Sequence, residues 1–199
     1  MNVTTVSLYL ASHGLELAGM ATTILGIWLT TKRLMICWPV VLISDFLYLV
    51  VFYQARLYSD ALLQVFFVVF TFYGWWYWWR GVREVGEVRV IPLSIRAAVV
   101  ALVVGAAGSA LLAWLMIRVG AALPRLDATL ASYSLVATWW QARKHTANWW
   151  LWIAVDVVYI GEYLYKSLAA TAMLYAGLVL LAVLGLRDWR RAAATAVAN

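Results

Sequence analysis

Long apolar stretches alternate with short polar breaks along this chain, and the breaks recur at intervals that suit membrane-crossing helices. The apolar runs predict seven helices, at about 14–31, 34–54, 60–80, 97–118, 125–142, 146–166 and 170–187. Each holds roughly 20 residues, the length that crosses ~30 Å of hydrocarbon. The few polar positions inside them fall in register. Within 146–166, Trp149, Trp152, Asp156, Tyr159 and Tyr163 follow one another at spacings of three and four, so they share one helix face. An acid inside hydrocarbon costs ~2.5–3.5 kcal/mol on insertion scales and marks a functional site; the plainer reading is a bond to a neighbouring helix.

The polar register repeats. Adding 111 to the residue number carries the first three helices onto the last three without a gap, and the rare residues coincide: Trp28 with Trp139, Trp38 with Trp149, Asp45 with Asp156, Tyr48 with Tyr159, Gly74 with Gly185, Trp78 with Trp189 and Arg80 with Arg191. Only 12 of 67 aligned positions are identical, so it is the alignment of an acid with several tryptophans that carries the repeat. One helix, 97–118, separates the two three-helix units, which therefore enter the membrane from the same side. The predicted fold is all-α and integral to the membrane: a first repeat over 14–80, a linker and central helix over 81–124, and a second repeat over 125–191. Parallel repeats of this kind hold substrate near the bilayer midplane, between the repeats. Asp156 lies about ten residues into its helix, or roughly 15 Å at 1.5 Å per residue, and Asp45 at a matching depth.

Composition agrees with this pattern: 66% of residues are hydrophobic and 12% charged, with mean hydropathy +0.86, values foreign to a soluble domain. The net charge of +6 does not point to nucleic acid, because the cations sit in the loops. Eleven of the fifteen Lys and Arg fall on one side of the predicted spans, among them Lys32, Arg33, Arg80, Arg143, Lys144 and Arg191. By the positive-inside rule that side is cytoplasmic, which puts the N-terminus outside and the C-terminus in the cytoplasm. Met1 to Ser12 lacks a basic start before an apolar run, so no cleaved signal peptide is expected. The segment Tyr73–Arg80 and the pair Trp139-Trp140 lie beside these cations, as interfacial belt residues do.

Carboxylates among indole and phenol rings favour an organic cation, since each ring face is worth ~0.5–2 kcal/mol to a cation. The candidate binding set is Trp38, Asp45, Tyr48, Gln64, Asn148, Trp149, Trp152, Asp156 and Tyr159. Asn148 and Gln64 also have plain readings, as a helix cap and an interhelical bond. Glu162 is expected to pair with Lys166 four residues on, while Glu16 and Asp127 need only water. His13 and His145 are too few for a metal site, and neither a metal nor a cofactor is expected. A retinal-type photosensor or seven-helix receptor is the alternative of a different class. Retinal needs a mid-membrane lysine, and Lys32, Lys144 and Lys166 are all at helix ends. No nucleophile–base pair suggests an enzyme.

The chain resembles the PnuC nicotinamide riboside transporters and their relatives for other B vitamins over about residues 15–191. The most specific match is Asn148-Trp149-x-x-Trp152-x-x-x-Asp156, continuing through Tyr163-x-Tyr165-Lys166 and Thr171-Ala172-x-x-Tyr175 to Gly185-x-x-x-Trp189. Cys37-Trp38-Pro39, Leu63-Gln64 and Tyr73-Gly74-Trp75 follow the pattern in the first half. The resemblance implies a SWEET-like 3+1+3 fold, a homotrimer in the bacterial inner membrane, and uptake by facilitated diffusion with cytoplasmic trapping by phosphorylation. It also implies that Asn148, Trp149 and Trp152 touch substrate. No glycine-rich loop ending in Lys-Ser or Lys-Thr is present to hydrolyse ATP. Asp45 and Glu162 depart from the family pattern; both nicotinamide riboside and thiamine are planar cations, so the extra acid does not choose between them, and neutral riboflavin would gain less from it.

Overall fold

A computed structural model describes residues 3–54, 58–85, 88–118 and 123–198; Arg56, one of the four basic residues on the side opposite the eleven, and Gly86 of the linker lie outside the described residues. The described residues form seven helices: α1 Val3–Thr31, α2 Cys37–Gln54, α3 Tyr58–Val85, α4 Ile95–Arg118, α5 Pro124–Ala142, α6 Ala147–Tyr165 and α7 Ala169–Ala198. Three run longer than the apolar pattern predicts: α1 starts at Val3, α3 continues to Val85 and α7 to Ala198. Charge ends an apolar run without ending a helix. Arg187, Asp188, Arg190 and Arg191 lie within α7, because such side chains are tolerated once the helix leaves hydrocarbon.

Four helices, α2, α3, α4 and α7, contain stretches long and apolar enough to cross a membrane. The polar residues of α5 and α6 point inward: Ser132, Ser134 and Thr138 on α5, with Asn148, Asp156 and Glu162 on α6, are buried. Packing follows from this. Neighbours run α1–α2–α3–α5–α6–α7 and back to α1, a closed ring, while α4 packs on α5 from outside. Gly105 lets that outer helix approach closely, and Ser132 donates to its carbonyl at 2.8 Å.

The turns closing α1 and α5 have the same hydrogen bonds. Arg33 and Lys144 adopt left-handed backbone (φ 56° and 65°), their amides donating to Thr30 and Gln141, and the amides of Leu34 and His145 donate to Leu29 and Trp140. These are helix caps in which the left-handed residue, usually glycine, is a cation. Helices α2 and α6 then start with Trp38 and Trp149 fully buried, each edge-on to a tryptophan of the next helix: Trp38 to Trp78 (5.1 Å between centroids, 88° between planes) and Trp149 to Trp189 (5.5 Å, 88°). Trp78 and Trp189 each reach the adjoining helix of the ring, α5 and α1, donating to Ala142 (3.1 Å) and Thr30 (3.0 Å).

One expectation changes here. Trp78, read as an interfacial belt residue, has no exposed surface, although its neighbours Trp76 and Trp79 are about half exposed. The linker after α3 lies at the surface and is tied to the bundle. Ile91 donates to the Lys144 carbonyl at 2.9 Å and accepts from His145 at 3.0 Å, so residues 88–91 strap across the α5–α6 turn.

Candidate functional site

The ring encloses a cavity of about 290 Å³. Ten pairs of residues 111 positions apart line it: Thr23 and Ser134, Ile27 and Thr138, Trp38 and Trp149, Val41 and Trp152, Asp45 and Asp156, Tyr48 and Tyr159, Phe52 and Tyr163, Gln64 and Tyr175, Phe67 and Leu178, Thr71 and Ala182. Helical spacing explains the arrangement. On α2, Trp38, Val41, Asp45, Tyr48 and Phe52 occur at intervals of three and four, and on α6 the same intervals hold Trp149, Trp152, Asp156, Tyr159 and Tyr163. Each stripe turns its acid and its rings to the interior.

The cavity thus gathers Trp38, Asp45, Tyr48, Gln64, Trp149, Trp152, Asp156 and Tyr159. Asn148 is placed differently. It is fully buried beside the first turn of α6, outside the cavity lining, and its side-chain amide donates to the His145 carbonyl at 2.6 Å. Its Oδ1 has no partner among the described residues. The indole N–H groups of Trp38 and Trp149 are likewise buried and unpartnered there, although both residues line the cavity.

The two walls differ in chemistry. Thr71 donates to Asp45 at 2.8 Å, whereas the corresponding position opposite Asp156 is Ala182, which offers nothing. On the second wall Tyr159, Tyr163 and Tyr175 form a cluster with centroids 4.7, 5.2 and 5.9 Å apart; the first wall has Tyr48, Phe52 and Gln64 in their places. The second wall therefore presents a carboxylate without a side-chain hydrogen bond among the described residues, close to a group of phenols.

Sequence reasoning passed over several lining residues. Tyr163 belonged to the stripe but was not assigned to the site. Tyr175 was recoverable, because the shift of 111 carries Gln64 onto it. Thr23, Thr71, Ser134 and Thr138 had no signal of their own: a helical hydroxyl commonly bonds its own backbone, and several here do so. Beyond the cavity, Glu162 does contact Lys166, as its spacing suggested, yet it is only 6% exposed and does not reach water. Asp127 is not left to solvent either, since Lys166 lies 3.8 Å from it. Its own burial lowers the Lys166 ammonium, while its bond to Glu162 and the charge of Asp127 raise it, so that it ends above its ordinary value.

Fold and cavity together define a helical membrane protein with an internal, solute-sized compartment that has polar and aromatic walls. The chain belongs to the family described as nicotinamide mononucleotide transporter, whose sequence profile matches residues 13–191. It is also similar to the crystal structure of the vitamin B3 transporter PnuC, with a TM-score of 0.76 and 22% identity over 96% of this chain and 87% of that one. At that identity the likeness shows a common fold.

Proposed function

We propose that this protein takes up nicotinamide riboside by facilitated diffusion across the bacterial inner membrane, with phosphorylation by a cytoplasmic enzyme trapping the product. One observation carries the reading: a cavity lined by two stripes of rings, each with an acid at its centre. Such walls hold a planar cation by charge and by ring faces, and the unpartnered indole N–H groups of Trp38 and Trp149 are available to its oxygens. Family membership supports the same direction.

The proposal includes the 3+1+3 arrangement of the SWEET type, with halves 14–80 and 125–191 joined through 81–124. The ten cavity pairs, the matching caps at Arg33 and Lys144, and the position of α4 outside the ring support it. The halves rock about the cavity, with the N-terminus outside and the C-terminus cytoplasmic, in a homotrimer. Thiamine, also a planar cation, is the competing substrate. Titration of the purified protein by tryptophan fluorescence separates them: nicotinamide riboside quenches at micromolar concentration, and thiamine and riboflavin do so at much higher concentration. Binding of none of the three would remove the reading. Uptake into proteoliposomes without any ion gradient, unchanged by an uncoupler, tests the facilitated step.

A further inference from the structure

The α5–α6 turn carries Arg143 and Lys144, and the α1–α2 turn carries Lys32 and Arg33 at positions 111 lower. An acid meets the earlier pair. Lys32 lies 2.7 Å from the Asp188 carboxylate of α7, and Arg33 donates to the Asp188 carbonyl at 3.5 Å. The residue of α3 that corresponds to Asp188 is Tyr77, so the later pair has no carboxylate in that place. Arg143 donates instead to the Tyr73 hydroxyl at 3.0 Å and lies 4.8 Å from the Tyr77 ring centre. Lys144 places its ammonium 5.1 Å from the same ring centre.

Lys144 is the unusual member. It is 5% exposed and has no ion pair among the described residues. Its backbone is left-handed, at a cost of ~1–2 kcal/mol for a residue with a side chain. Room for the ammonium comes from Gly81, where an added Cβ would strike it. Burial lowers this ammonium from its ordinary value, and Glu84 opposes that. A buried, unpaired cation is costly, and an anion beside it offsets the cost.

A second pocket, of about 470 Å³, opens at this point, between the end of α3, the strap 88–91 and the α5–α6 turn. With Arg89 left aside, Arg80, Arg143 and Lys144 face a single lining acid, Glu84. Tyr73 and Trp76 form its aromatic wall. Among the described residues no such strap is hydrogen-bonded across the first turn. We propose that this pocket binds a phosphate-bearing anion, with Lys144 and Arg143 on the phosphate and the Tyr73–Trp76 wall against the rest of the molecule. Guanidinium and ammonium donors form the strong, charge-assisted bonds that phosphate oxygens accept, and the volume falls in the ~300–1,000 Å³ range of small-molecule sites. The phosphate comes either from a soluble nucleotide or from a lipid headgroup, and the site is independent of whichever solute the central cavity carries.

Calorimetry on the full-length protein in zwitterionic detergent, with adenosine monophosphate, inorganic phosphate and adenosine as probes, reads the soluble source. Native mass spectrometry from nanodiscs of phosphatidylcholine containing phosphatidylglycerol reads the lipid source. The expected result is that the monophosphate binds and adenosine does not, or that phosphatidylglycerol is selectively retained; Lys144→Gln weakens whichever occurs at least tenfold, and Glu84→Gln strengthens it. Should Lys144→Gln fail to fold, Arg80→Gln at the exposed rim gives a loss of the same sign. No binding of either phosphate or anionic lipid, or binding equal in wild type and the charge variants, overturns the proposal.

Discussion

The Trp38 indole packs against Gly74, so close that a Cβ on the glycine would overlap the ring, and Trp149 packs as closely on Gly185. Glycine is required at both places by the close approach of a ring. Gly74→Ala and Gly185→Ala are each expected to destabilise the protein by ~1–3 kcal/mol, the usual cost of overpacking. Thermal unfolding in detergent should show a lower midpoint for both, while Gly161→Ala, where a Cβ meets nothing within 4 Å inside α6, should raise it slightly, alanine being favoured over glycine in a helix by ~1 kcal/mol.

Trp149 and Trp152 share a stripe yet should fail in different ways. Trp149 is 1% exposed and packs on Trp189, so Trp149→Ala is expected to cost ~3–5 kcal/mol of stability. Trp152 lines the cavity and is less enclosed. Trp152→Ala should insert and fold normally and weaken riboside binding several-fold, in line with the loss of one ring face at ~0.5–2 kcal/mol. Comparing unfolding midpoints with fluorescence titrations of the two variants checks the division.

The two cavity acids should also differ. Thr71 already bonds Asp45, whereas Asp156 has no side-chain bond among the described residues and sits beside the tyrosine cluster. Asp156→Asn is therefore expected to lower affinity for a cationic substrate about tenfold, ~1.4 kcal/mol, and Asp45→Asn by less. Equal wild-type uptake by both variants in proteoliposomes would show that neither carboxylate serves the substrate.

Lys166 holds Glu162 at the end of the bundle where α6 finishes, with Asp127 nearby. Removing the cation leaves a carboxylate buried to 6% exposure, and breaking such pairs costs ~3–5 kcal/mol; because the Lys166 side chain is 32% exposed, Lys166→Ala should fall at or below the lower end. Glu162→Gln combined with Lys166→Ala should recover most of the loss. A double-mutant cycle measured by denaturation decides whether the pair or the single charges matter.

Much of this molecule was legible in the chain. Helix number, helix centres and the stripes on α2 and α6 are written in 3.6-residue periodicity, a local property. The register of 111 was legible because tryptophan and mid-helix acid are rare enough for their coincidence to be informative. Eight of the nine candidate residues were chosen from those stripes, the register and Gln64, and they face one cavity.

What the chain left open depended on contacts between distant segments. Trp78 and Trp79 are adjacent and chemically identical, and only packing against Trp38 and Ala142 makes the first a core residue and the second a surface one. That Thr71 occupies Asp45 while Asp156 faces Ala182, that Asn148 bonds its own turn, and that residues 88–91 close over Lys144 are likewise tertiary facts. Periodicity tells which side of a helix is special. Which partner that side meets is set by how the helices close into a ring, and the ring places together residues that no local spacing connects.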